Sequence, residues 1–204
     1  MSSAIIFLII IMIIFDPLGL TEHIHSQTYE VNDRNDNGRT FTVENNEIGY
    51  GNENGSWALL QLSPSYSFGI KFDEINIPQG SIIKTAYIEL FSIGTPGHLY
   101  PNCKIYCDYV DDAVNFIDVG VLDICGRIYT SSYAYWNSSV IFGDWVKTPS
   151  VIPPIQDVIN RTNWKKGNSI AFLFVTEGFD NYSATFQNFE SGYPPRLYIE
   201  WIEP

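Results

Sequence analysis

Beyond residue 27 the chain breaks into short runs of strand character spaced by Gly, Pro and Asn, with only one stretch that reads as a helix. "RTFTVEN" (39–45) alternates, "SWALLQL" (56–62) is a half-buried run, and "SFGIKFDEI" (67–75) puts Phe68, Ile70 and Phe72 on one face. "IPQGSIIKTAYIELFSI" (77–93) opens with a Pro78-Gln79-Gly80 turn. Strict alternation then sends Ile83, Thr85, Tyr87, Glu89 and Phe91 to one side and Ile82, Ala86, Ile88 and Leu90 to the other. "CKIYCDYVDDAV" (103–114), a tyrosine-rich segment over 129–136, "SIAFLFV" (169–175) and "PRLYIEW" (195–201) continue the series. Many short strands without repeating helices exclude a βαβ fold and predict an all-β antiparallel β-sandwich or jelly roll.

The exception is "DWVKTPSVIPPIQDVINRTNWKKGN" (144–168). Pro153 and Pro154 fit only a helix start, where backbone N–H groups have no partner to lose, so the helix begins there and runs to about Arg161. Ile155, Val158 and Ile159 share its apolar face, and Gln156, Asp157 and Asn160 take the other. Trp164 and the Lys165–Asn168 turn send the chain back into a strand. The expected role of this short helix is to close one end of the sandwich.

Ahead of the strands, an unbroken apolar run from Ala4 to Phe15 is closed by Asp16 and Pro17. It is shorter than the roughly 20 residues that cross a bilayer and matches the h-region of an export signal. The expectation is a signal peptide over 1–26, with Ser26 the best small residue at a cleavage point and a retained anchor as the alternative, followed by one domain over 27–204. The protein is thus expected to be secreted or displayed at a cell surface. A formal charge of −12 opposes phosphate backbones and anionic lipid, which excludes nucleic acid and leaves membrane contact to the N-terminal segment alone, if uncleaved. Cys103 and Cys107 lie about 13 Å apart along a strand, too far to bridge. Cys125 could pair with either, or all three are buried small hydrophobes.

No Gly-x-Ser-x-Gly elbow, phosphate loop or His-x-x-x-His pattern occurs. Asp108, Asp111 and Asp112 could supply paired carboxylates for glycoside hydrolysis, but nothing in their spacing positions them, and no catalysis is expected. "DRNDNGRTFTVE" (33–44) fits a calcium-loop template, with Asp33, Asn35, Asn37 and Glu44 as oxygen donors for Ca²⁺ and Gly38 for the turn. Its flanks read as strands, so a plain Asp-Asn-Gly hairpin is the competing reading. Aromatics suited to stacking on sugar rings are Tyr129, Tyr133, Tyr135 and Trp136. Alternation sets Tyr133 and Tyr135 on one face and Trp136 on the other, one set for the core and one for a ligand.

"GIKFDEINIPQGSIIKTAYIELF", "AYWNSSVIFGDWVKTPSVIPPIQDVINRTNWKKGNSIAFLFV" and "PPRLYIEW" resemble, in order, the blocks of the DNRLRE-type domain, related to the family-96 carbohydrate-binding modules. The likeness spans about residues 28 to 202 and includes Phe72-Asp73, Ala86-Tyr87, Trp136-Asn137, Thr148-Pro149, Asn160-Arg161, Trp164 and Pro195-Arg196-Leu197. The eponymous hexapeptide is absent, and Thr162-Asn163 stands where the family has Pro-Gly. The resemblance implies a non-catalytic β-sandwich of secreted, cell-wall or virion-associated polypeptides. Its partner would be a glycan or a cell-surface or virion protein, in a carbohydrate-binding or adhesion module or a structural subunit.

Overall fold

A computed structural model describes residues 22–32, 37–42, 48–49, 59–62, 66–93, 100–116, 124, 126–176 and 183–204. Twelve strands and one helix follow in order: β1 (Ile24–Glu30), β2 (Asn37–Thr42), β3 (Ile48–Gly49), β4 (Leu59–Leu62), β5 (Tyr66–Phe72), β6 (Ile82–Ile93), β7 (Cys103–Cys107), β8 (Ala134–Trp136), β9 (Trp145–Lys147), α1 (Ile152–Ile159), β10 (Ile170–Thr176), β11 (Ala184–Gln187) and β12 (Arg196–Ile202). One antiparallel sheet has the order β1-β12-β6-β11-β4, with β9 also on β6; the other runs β3-β2-β5-β10-β7-β8. Alternating side chains from the two sheets meet in one core, so the fold is the expected all-β sandwich. Among the described residues no helix is long and apolar enough to cross a membrane. β1 begins at Ile24, so the strand includes three residues ahead of the expected domain start at 27.

The core is aromatic at its centre. Phe68 stacks on Phe174 at 4.3 Å within one sheet, and Trp136 stacks on Phe186 of the other at 5.5 Å. β5 buries Phe68, Ile70 and Phe72 as its pattern predicts, while β6 buries Ala86, Ile88 and Leu90. The alternation expected for β6 fails at its start: Ile83 is buried and Ile82 is 56% exposed. A bulge explains the reversal. Thr85 pairs with Glu200 but Ile83 pairs with Trp201, so Lys84 is an extra residue that flips the parity of everything before it.

Helix α1 closes one end by packing on β6 of one sheet and on β7 and β8 of the other. Pro154, Ile155, Val158 and Ile159 are buried, as the helical period requires. Gln156 is not idle on the outer side. Its Oε1 accepts from the Ile83 N–H at 3.0 Å and its Nε2 donates to the Ser81 carbonyl at 2.8 Å, which serves backbone groups beside the bulge. Asp157 accepts from the Ser132 N–H and the Ser131 hydroxyl, tying the helix to the segment that enters β8.

β10 is apolar without interruption because both its faces are covered. Phe172 and Phe174 face the main core, while Ala171 and Leu173 face a second cluster with Ala113, Phe116 and Ile124. Ala113, Phe116 and Ile124 come from the connection between β7 and β8, so these described residues lie over the outer surface of their own sheet.

Candidate functional site

On the outer surface of the β7–β8 pair, alternation separates two populations. Cys103, Ile105 and Cys107 point inward, leaving Lys104 and Tyr106 outward. In β8, Ala134 and Trp136 point inward and Tyr135 outward, with Lys104 as its cross-strand partner. Tyr133 and Tyr135 are 43% and 45% exposed. Tyr106 stacks on Tyr129 at 5.0 Å and meets Tyr133 at 5.4 Å. The Lys104 ammonium sits 4.7 Å from the Tyr133 ring centre, and the Tyr135 hydroxyl donates to Asn102 Oδ1 at 2.8 Å. Tyr129 is fixed by its own hydroxyl, which donates to the Ile124 carbonyl at 3.2 Å. Tyr106 thus joins Tyr129 and Tyr133, and Lys104 lies between Tyr133 and its cross-strand partner Tyr135, while Trp136 is 1% exposed and packs the core. Its ring has no part in the outer face, because strand parity gives that side of β8 to Tyr135.

The result is a row of phenol rings on a rigid sheet, with an amide and an ammonium beside them. Such rings offer flat apolar faces to the C–H side of a pyranose, and the polar neighbours can fix orientation. Tyr106, Lys104 and Asn102 were not anticipated as site residues. The signal was present in "NCKIYC", whose alternation opposes Lys104 and Tyr106 to the two cysteines.

The three aspartates that might have formed a carboxylate pair are each engaged elsewhere. β7 ends at Cys107, and Asp108 makes only an isolated bridge with Tyr129 before the chain bends, so the expected strand through Val114 does not form. Asp108 forms a buried ion pair with Arg127 at 2.7 Å. Burial pushes its carboxyl above the ordinary range, and the guanidinium beside it offsets only part of that desolvation. Arg127 also donates to the carbonyls of Val114 and Asn115 and stacks on Phe116 at 4.1 Å. Asp111 accepts from Arg161 Nε at 2.7 Å, which holds its carboxyl below the ordinary range. Asp112 accepts from the Ser169 N–H at 2.8 Å. All three contacts pin the connection between β7 and β8.

Of the calcium donors, Asp33, Asn35 and Glu44 lie outside the described residues, and Asn37 opens β2, where its backbone pairs with Ile70. β1 and β2 belong to different sheets, so the two described strands that flank this stretch do not pair with each other as a hairpin. Gly38 stands in the ladder opposite Gly69. Among the described residues no group of three or more His, Cys, Asp or Glu side chains could hold a metal ion. Cys103 and Cys107 are buried, unbridged thiols that burial pushes well above their ordinary values; Cys125 lies outside the described residues.

A second aromatic group, on the outer surface of the opposite sheet, was missed altogether. Phe91 contacts Tyr193 at 4.2 Å and Trp145 at 5.6 Å, and Arg196 lies 4.3 Å above the Trp145 ring. Tyr87 stacks on Tyr198 at 5.1 Å under Lys147. Alternation marked Tyr87 and Phe91 as outward, but their partners come from β9, β12 and the segment just before β12 and are visible only once the strands are paired. No protein-family model matches the chain, and no curated protein matches it.

Proposed function

We propose that this protein is an exported, non-catalytic carbohydrate-binding or adhesion module whose ligand face is the outer surface of β7 and β8. The observation that carries the reading is the exposed pair Tyr133 and Tyr135, continuous with Tyr106 and Tyr129 and flanked by Lys104 and Asn102. The resemblance to the DNRLRE-type domain, related to the family-96 carbohydrate-binding modules, supports the same class, and calcium at Asp33, Asn35, Asn37 and Glu44 belongs to it as a subsidiary proposal. The alternative, a structural subunit of an extracellular or virion assembly, draws on Ile141 and Phe142, adjacent in one loop and 69% and 49% exposed.

A glycan array read in EDTA and in millimolar Ca²⁺ tests both parts. The parent chain is expected to retain one class of glycan, and the double variant Tyr133→Ala, Tyr135→Ala to lose about tenfold or more in affinity, about 1.4 kcal/mol, with unchanged thermal stability. Binding undiminished in that variant, or no glycan retained by the parent, overturns the reading. Equal binding and equal melting temperature in the two buffers removes calcium.

A further inference from the structure

Strand β1 is an edge. It pairs with β12 over all seven residues from Ile24 to Glu30, and among the described residues nothing pairs with its other side. The remaining terminal strands are short: β4 has four residues, β8 three and β3 two. Edges of this length are normally blunted by Lys, Pro or a bulge. β1 reads IHSQTYE and has none of these; its register with β12 is unbroken.

The direction of its backbone groups follows from one hydrogen bond. The Val31 N–H donates to the Pro195 carbonyl at 3.1 Å, in register with the β1–β12 ladder. Odd-numbered residues of β1 therefore direct their N–H and C=O to β12. Ile24, Ser26, Thr28 and Glu30 direct theirs outward, away from the molecule.

We infer that β1, in a chain that keeps Ile24–Ser26 and is not cut at Ser26, pairs antiparallel with β1 of a second copy of this chain, about a twofold axis at Gln27, so that the two sheets become one. A second copy fits because β1 is self-complementary in that register. Ser26 lies opposite the partner's Thr28 and Ile24 opposite the partner's Glu30, and all four outward-facing residues of each strand find hydrogen-bonding positions. Glu30, the only charged residue of the strand, is kept away from its own copy and is already paired with Arg196 at 2.7 Å. The two Gln27 residues meet at a position without mutual hydrogen bonds, where Cα atoms stand about 4.5 Å apart, within disulfide reach. Ser26 and Thr28 lie diagonally from their own copies, beyond it. The inference stands apart from the glycan reading, since β1 and the tyrosine face belong to different sheets.

Cysteine scanning of the full chain decides it, in a Cys125→Ser background with the buried Cys103 and Cys107 retained and oxidised glutathione as the two-electron acceptor. Gln27→Cys is expected to yield a disulfide-linked dimer on non-reducing electrophoresis, with Ser26→Cys and Thr28→Cys at least about tenfold less. Adding Thr28→Pro to Gln27→Cys removes an outward N–H without touching the β12 ladder and should abolish the dimer at unchanged melting temperature. Cross-linking at Gln27→Cys no stronger than at its neighbours overturns the inference, whether all three positions cross-link through non-specific association or none does because a foreign strand takes the edge. Persistence of the dimer in the folded Thr28→Pro double variant overturns it as well. If that variant fails to fold, the comparison among the three cysteines still decides.

Discussion

Gly69 lies in β5 on the side away from the main core, and the Phe116 ring occupies the place where a Cβ would stand. Phe116 is held there by Arg127, which stacks over its ring while pairing with Asp108. Four residues thus seat the β7–β8 connection on its own sheet, and that connection in turn supports Tyr129 of the tyrosine row. Gly69→Ala is expected to cost about 1–3 kcal/mol, because the ring must move against a buried ion pair. In a Phe116→Ala background the same change should cost far less, and a double-mutant cycle from urea denaturation measures the difference. Additive effects would mean that the ring does not rest on Gly69. None of this is legible in the sequence, where Gly69 falls inside a strand run and Phe116 lies just beyond the run 103–114 with nothing local to pair the two. Alternation was sufficient to group Tyr133 with Tyr135 against Trp136, but which side was the core depended on Phe186, a residue of the opposite sheet.

At the scale of elements, helix α1 was readable because its proline pair and its apolar spacing are local. Its closure of the sandwich was readable too, since one short amphipathic helix has few places to bury its stripe. Ile155 and Ile159 are fully buried, so replacing either by Ala is expected to cost about 2–5 kcal/mol, seen as a lowered denaturation midpoint at unchanged slope. A near-parental midpoint for both would place the helix outside the core. The long strand β6 shows where local reading stops. Its outward row Thr85, Tyr87, Glu89 and Phe91 followed from alternation, whereas the bulge at Lys84 depends on the pairing with β12 and on Gln156, seventy-three positions downstream of the Ile83 N–H it receives. That β1 and β2 join different sheets was likewise hidden, because Asp-Asn-Gly carries the same local chemistry whether or not its flanking strands pair with each other.

For the whole molecule, pH acts through the sheet that carries β1. Tyr29 of β1 reaches under the sandwich, where its hydroxyl accepts from the Asn76 N–H at 2.9 Å and donates to Gln27 Oε1 at 3.1 Å. Burial pushes this phenol up to about 12, outweighing the hydrogen bond that favours its ionised form. On the outer surface Tyr198, stacked on Tyr87, is also pushed up to about 12, by burial and by its bond to Glu200. In the unfolded chain a tyrosine titrates near 10, so the folded state holds these protons more tightly. The stability they contribute is fully present below about pH 10 and is lost as pH rises towards 12, where the molecule also gains negative charge on top of its −12. For Tyr29 the difference amounts to about 2–3 kcal/mol. Tyr29→Phe lowers stability at pH 8 by removing two hydrogen bonds, but its deficit relative to the parent should shrink by about that amount between pH 9 and pH 12. Chemical denaturation of both proteins at each pH, with phenolate absorbance to follow the titration, gives the two curves. Parallel curves across that interval would show that Tyr29 ionises in the folded state as it does in the unfolded one, and that β1 is not anchored through this hydroxyl.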